Sequence, residues 1–232
     1  MSKSKPYSDI NLKEKVSGVF CVLAILEAIC MLLANVMAFK LWQLGPLVVP
    51  AGTIIFPIVY IVGDVITEVY GFIKAKWTIW FGFGASLIGI VTFQFAIWVP
   101  SPSWFQGAES FAQVLGTTPR VFLGGFIAYL VGSFMNAYVL SKLKVATEGK
   151  RFFERALGST LVGEFFDSLI FISIAFAFTM SFKELGIMIL SQTFLKTMYE
   201  IIIYPVLTNV VKLVKCIEQT DTYDRGIKYR PI

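Results

Sequence analysis

Seven ionisable side chains fall inside stretches that are otherwise apolar enough to cross a bilayer: Glu27, Asp64, Glu68, Glu164, Asp167, Lys196 and Glu200. Asp64 and Glu68 are four residues apart, Glu164 and Asp167 three, and Lys196 and Glu200 four, so on helices each pair shares one face. An ionised group at a membrane-helix centre costs about 2.5–3.5 kcal/mol on insertion scales, so the set would cost roughly 20 kcal/mol before any pairing. Such groups are expected to face a shared polar interior. One lysine does not neutralise six acids. The surplus is expected to be met by protonation, by water, or by a bound cation or donor-rich ligand, all of which suit a transporter. The competing reading is structural: Lys196 locks two helices by pairing with one acid, while Glu68 and Glu27 hydrate near a surface.

The elements that must hold these charges follow from composition. The chain has 232 residues, of which 56% are hydrophobic and only 15% charged, with a mean hydropathy of +0.74. A soluble domain of this size could not cover that apolar surface, whereas spans of about 20 apolar residues can face lipid. Six spans are predicted, at about 16–39, 47–72, 77–99, 120–141, 156–179 and 184–211, within the boundary error of sequence reading. They make an all-α integral membrane protein in one membrane domain covering residues 1–232. The charges then lie about 9–23 Å from the predicted cytoplasmic boundaries at helical rise. Residues 1–15 are polar, and the apolar run after them lacks a small-residue cleavage site, so it reads as a span rather than a removable signal.

Basic residues sort by side. Lys3, Lys5, Lys13, Lys15, Lys74, Lys76, Lys142, Lys144, Lys150, Arg151, Arg155, Lys212, Lys215, Arg225, Lys228 and Arg230 fall on one side of this scheme, and Lys40, Arg120 and Lys183 on the other. The rich side is the cytoplasm, which places both termini inside, as an even number of spans requires. Topology therefore explains the net charge of +5, and nucleic acid is not expected as a partner. There is no histidine, and Cys21, Cys30 and Cys216 form no framework, so neither a metal site nor a disulfide set is expected.

The second span is irregular, with Pro50 and Gly52 at its start and Pro57 inside it. That is either a simple kink or a broken helix beside a substrate site. Gly82, Gly84, Ala85, Ser86 and Gly89, then Gly124, Gly125, Ala128 and Gly132, predict close helix packing. Trp98, Trp104 and Phe105 fit an interfacial belt on the outside. Val62-Gly63-Asp64 is echoed by Val162-Gly163-Glu164 in spans of opposite direction, compatible with two inverted three-helix repeats.

At these residues a resemblance emerges. FPIVYIVGDVITEVYG (56–71) and LVGEFFDSLIFISIAF (161–176) resemble the signatures of the queuosine precursor transporter family, also called the vitamin uptake transporter group. QTFLKTMYEIIIYPV (192–206) is similar to the family's last span, and Asn35 to a family asparagine in the first. Gly132-Ser133 stands where the family carries Gly-Gln, which puts one polar contact in doubt. The resemblance covers nearly the whole chain. It implies a six-helix bacterial inner-membrane uptake transporter, with no enzymatic activity and no cofactor, for 7-deazaguanine precursors of queuosine in nitrile or aminomethyl form. A guanine-like edge offers two parallel N–H donors to one carboxylate. Glu164 or Asp167 is then expected to read that edge, Asp64 and Glu68 to complete the pocket with Glu200 and Asn35, and Lys196 to balance charge. Phe56, Tyr60 and Tyr199 are the candidates for stacking on the ring. Proton coupling is compatible with the surplus acids, and a homo-oligomer with the sequence.

The alternative is the substrate-binding membrane subunit of an ATPase-driven vitamin uptake system, with Ala24 and Ala28 as a docking stripe that Glu27 interrupts. An intramembrane enzyme would need a motif such as H-E-x-x-H or G-x-S-x-G, and neither occurs. A channel is less apt, because mixed acids and lysine resemble a binding site more than a pore ring.

Overall fold

The computed structural model describes residues 16–37, 40–44, 47–116, 119–176, 178 and 181–230. Lys3, Lys5, Lys13 and Lys15 lie outside these residues. In chain order the elements are α1 (Gly18–Met37), a hairpin of β1 (Leu41–Leu44) and β2 (Leu47–Pro50), a 3-10 turn (Ala51–Ile54), α2 (Phe56–Tyr70), α3 (Phe72–Trp98), α4 (Ala108–Leu115), α5 (Pro119–Ala146), α6 (Phe152–Phe176) and α7 (Phe182–Glu218). The strands are antiparallel, with Leu41 opposite Pro50 and Leu44 opposite Leu47.

Among the described residues, five stretches are long and apolar enough to cross a membrane: Gly18–Met37, Ala51–Tyr70, Phe72–Trp98, Val121–Ala146 and Phe152–Phe176. Helix α7 is the longest at 37 residues, but it carries the buried Lys196 and Glu200 and contains Pro205. The bundle buries a set of charged side chains beside an apolar core and turns large apolar side chains outward. Asp64, Glu27, Glu68, Glu164, Lys196 and Glu200 are all buried, while Ile88, Phe95, Ile202 and Leu190 are each more than 60% exposed. That arrangement suits a hydrocarbon solvent, in which an apolar exterior carries no penalty.

The second predicted span, 47–72, is trimmed at its start: residues 47–50 form β2 and 51–54 a 3-10 turn, and the stretch apolar enough to cross a membrane runs Ala51–Tyr70. Pro57 sits in the first turn of α2, where a missing N–H costs nothing, so it starts the helix rather than kinking it. At the other end Gly71 (φ +84°) breaks the chain between α2 and α3, and a Cβ there would lie 2.7 Å from Asp224 Oδ1. Helix α3 therefore begins at Phe72, earlier than predicted. Helices α5 and α6 also run further toward each other than predicted, so Lys144 and Arg155 sit on helices and not in a loop.

Small residues do bring helices together. A Cβ on Gly163 would lie 2.8 Å from Asn136 Cβ and 2.9 Å from Gly132 O, so α5 and α6 touch backbone to backbone. Gly82 makes room for Tyr129, Gly89 for Leu32 and Gly124 for Ile174, while Gly84 faces open space. Residues 219–230 fold back over one end of the bundle. Thr222 N–H donates to Val69 O at 3.0 Å, Phe72 N–H donates to Asp224 at 2.8 Å, and the Tyr229 ring packs on Phe72 and Tyr138.

Candidate functional site

Helix α6 presents Glu164 and Asp167 on one face, as their spacing requires, and α7 places Lys196 between them. Lys196 Nζ is 2.6 Å from Asp167 Oδ2 and 2.8 Å from Glu164 Oε2. It also lies 4.1 Å from the centre of the Phe56 ring, so the ammonium is held by two anions and one aromatic face. The group is buried.

Asp167 and Lys196 of this triad line a cavity of about 70 Å³. The cavity is lined by Asn35 from α1, Gly52 and Thr53 from the 3-10 turn, Phe56 from α2, Gly125 and Ala128 from α5, Asp167 and Phe171 from α6, and Gln192 and Lys196 from α7. The 3-10 turn thus borders a cavity, the setting in which irregular backbone is tolerated inside a bilayer. Of the predicted site residues, Asn35, Phe56, Asp167 and Lys196 line it directly, and Glu164 reaches it through Lys196. Asn35 Nδ2 is buried without a hydrogen-bond partner. Thr53 and Gln192 were not anticipated. Gln192 was legible, one turn before Lys196 in the same polar row as Glu200.

Tyr60 packs its ring against Phe56 at 5.7 Å between centres. It lines a second, much smaller cavity with Glu27, Gly63, Thr67, Thr78, Ser133 and Asn136. In that region the Tyr129 hydroxyl donates to Glu27 Oε1 at 3.5 Å. Asn136 donates to Asp64 Oδ1 at 2.7 Å, and Glu200 faces Asp64 and Thr160. Tyr199 is half-buried and does not line the main cavity.

Glu68 is elsewhere. Arg155 grips it from α6 with two N–H groups at 2.7 and 3.2 Å. Lys215 from α7 donates to it at 2.8 Å, and Lys144 from α5 lies 3.7 Å from its carboxylate while also donating to its backbone carbonyl. Asp221 in the C-terminal segment joins both lysines, at 2.5 and 2.9 Å. Burial alone would raise the Asp221 carboxyl, but these two ammonium groups outweigh it and hold the pKa below the usual 3.8. The premise of one lysine against six acids is therefore corrected. Arg155, Lys144 and Lys215 also reach the interior, because Glu68 and Asp221 supply counter-charges there that offset the cost of leaving water.

Cavity and triad offer a flat ligand an aromatic face, ammonium and amide donors, and carboxylate acceptors. Comparisons with known proteins bear on the family of the chain. The profile of the family described as "Putative vitamin uptake transporter" matches residues 50–210. The "Probable queuosine precursor transporter" of Bacillus subtilis (strain 168) is 27% identical over 144 residues, covering 62% of this chain and 63% of that protein. The chain thus spans less than two thirds of the length of this curated relative. No solved structure matches.

Proposed function

The chain belongs to the vitamin uptake transporter family, and from that premise we propose that it is a secondary transporter importing 7-deazaguanine precursors of queuosine. The observation that carries this reading is the buried Lys196–Glu164–Asp167 group beside a cavity with Phe56 on its wall. In this reading Asp167 accepts the ring N–H and the exocyclic amine as a pair. Phe56 stacks on the ring, and Asn35, Thr53 and Gln192 hydrogen-bond its remaining edge. Lys196 is the internal counter-ion that the substrate displaces. At about 70 Å³ the cavity is far below the roughly 300 Å³ at the low end of ligand sites. A bicyclic ring therefore needs side chains at the mouth to part, which fits alternating access. Asp64 and Glu68, bound to Asn136 and to Arg155 respectively, lie outside the pocket on this account.

The test is equilibrium binding to purified protein of the nitrile and aminomethyl deazaguanines, guanine, and unrelated vitamins such as thiamine. Saturable binding of the two deazaguanines, with guanine weaker and vitamins absent, is expected. Preferential binding of an unrelated vitamin would remove the substrate assignment and leave only the transporter class.

Helix α7 serves as the sixth span in this proposal, with both termini in the cytoplasm of a bacterial inner membrane and the aromatic residues Trp98 and Trp104 at the outer face. The inverted three-helix repeat rests on the sequence echo of Val62-Gly63-Asp64 and Val162-Gly163-Glu164. Orientation is checked by labelling after Cys21, Cys30 and Cys216 are replaced by serine. A membrane-impermeant thiol reagent added to intact cells should label Ser110→Cys and spare Lys150→Cys, both positions being exposed. The opposite pattern reverses the topology.

A further inference from the structure

One pair of buried acids does not line the main cavity. Asp64 on α2 is fully buried, and its Oδ2 has no hydrogen-bond partner. Glu200 on α7 is 3% exposed, with neither carboxylate oxygen partnered. Thr160 on α6 is 1% exposed, and its hydroxyl oxygen is also unpartnered. Glu200 faces both Asp64 and Thr160. Among the described residues no ion pair reaches Asp64 or Glu200, although three basic side chains converge on Glu68 one turn along α2.

Two carboxylates set against each other in an apolar interior are not both stable as free anions. Their oxygens require something that carries positive charge. We propose that Asp64, Glu200 and Thr160 form a site for one monovalent cation, a proton or a sodium ion, separate from the substrate cavity. Anionic and neutral oxygens from three helices suit a hard cation. Asn136 is a positioning residue. Its amide N–H fixes Asp64 Oδ1 at 2.7 Å and turns Oδ2 free. The charged groups around the site are Glu68 on α2, Arg155 and Glu164 on α6.

Charge supports the choice. The neighbouring cluster holds Arg155, Lys144 and Lys215 against Glu68 and Asp221, an excess of one positive charge. The Lys196–Glu164–Asp167 group carries one net negative charge, so two free anions at Asp64 and Glu200 would leave the interior negative, and a bound cation offsets that charge. The site also lies near the substrate group, because Glu164 faces Glu200 and pairs with Lys196 at 2.8 Å. Loading of the cation thereby alters the field at Lys196. That coupling role rests on the transport reading, but occupancy of the site does not.

The experiment uses the purified full chain without substrate. Radioactive sodium binding is measured, alongside the infrared carbonyl band of a protonated buried carboxylic acid as pH is raised. A sodium site gives saturable binding, lost in Asp64→Asn and in Glu200→Gln and weakened in Thr160→Val. A proton site gives no sodium binding but a carbonyl band that titrates and disappears in Glu200→Gln. Either result supports the proposal, and the two arms tell the ions apart. Wild-type protein showing neither signal overturns it, whether or not every variant folds. Deazaguanine binding measured on the same preparation tests the substrate assignment independently.

Discussion

Asp167→Asn is expected to weaken binding of every deazaguanine about tenfold to a hundredfold and to stop measurable uptake, while the protein still inserts. The substitution keeps the size of the side chain, but it replaces one acceptor oxygen with a donor facing the substrate's own donors. A hydrogen bond to a charged group contributes about 1.5–3 kcal/mol, and each 1.4 kcal/mol is about tenfold in affinity. Lys196 remains folded against Glu164 at 2.8 Å, so the loss should show in affinity rather than in stability. Glu164→Gln is expected to be milder, because Glu164 does not line the cavity and acts only through Lys196. Equilibrium binding of labelled aminomethyl deazaguanine to both variants, at matched amounts of folded protein, decides the order. Wild-type affinity in Asp167→Asn would leave the triad as a helix lock.

The membrane class and the polar interior were legible because the cost of burying charge in lipid is large and local spacing fixes which charges share a face. Glu164 and Asp167 meet Lys196 for that reason. The hairpin was not legible. Leu47-Val48-Val49 reads as the start of an apolar helix, because a short apolar run does not by itself separate a strand from a helix. The basic residues that surround Glu68 were hidden for a different reason. A hydropathy reading ends a helix where charges begin, yet α5 continues through Lys144 and α6 begins before Arg155. An arginine at a helix end can extend to water or fold inward. Only the tertiary position of Glu68, reached by Arg155 across 87 residues of sequence, selects the inward rotamer. Family resemblance could supply Glu68 as a motif residue, but not its partners.

The same cluster sets the largest stability effect. Glu68→Gln is expected to destabilise the protein by about 3–5 kcal/mol, the usual cost of breaking a buried ion pair from one side. The carboxylate is where Arg155, Lys215 and Lys144 converge from three helices, and Arg155 and Lys144 are as buried as Glu68 itself. Removing the anion leaves three cations facing one another, with Asp221 as the remaining acid among them. Asp221 is 43% exposed at the side chain, so Asp221→Asn should cost no more than about 1 kcal/mol. For a chain of this size 1 kcal/mol moves the melting temperature by about 2–4 °C. Glu68→Gln should then melt roughly 6–20 °C lower in detergent and Asp221→Asn within a few degrees of wild type. Below its own transition, Glu68→Gln should still bind deazaguanine with near wild-type affinity, because Glu68 does not touch the cavity. Unchanged melting with lost binding would reverse this assignment and return Glu68 to the substrate site.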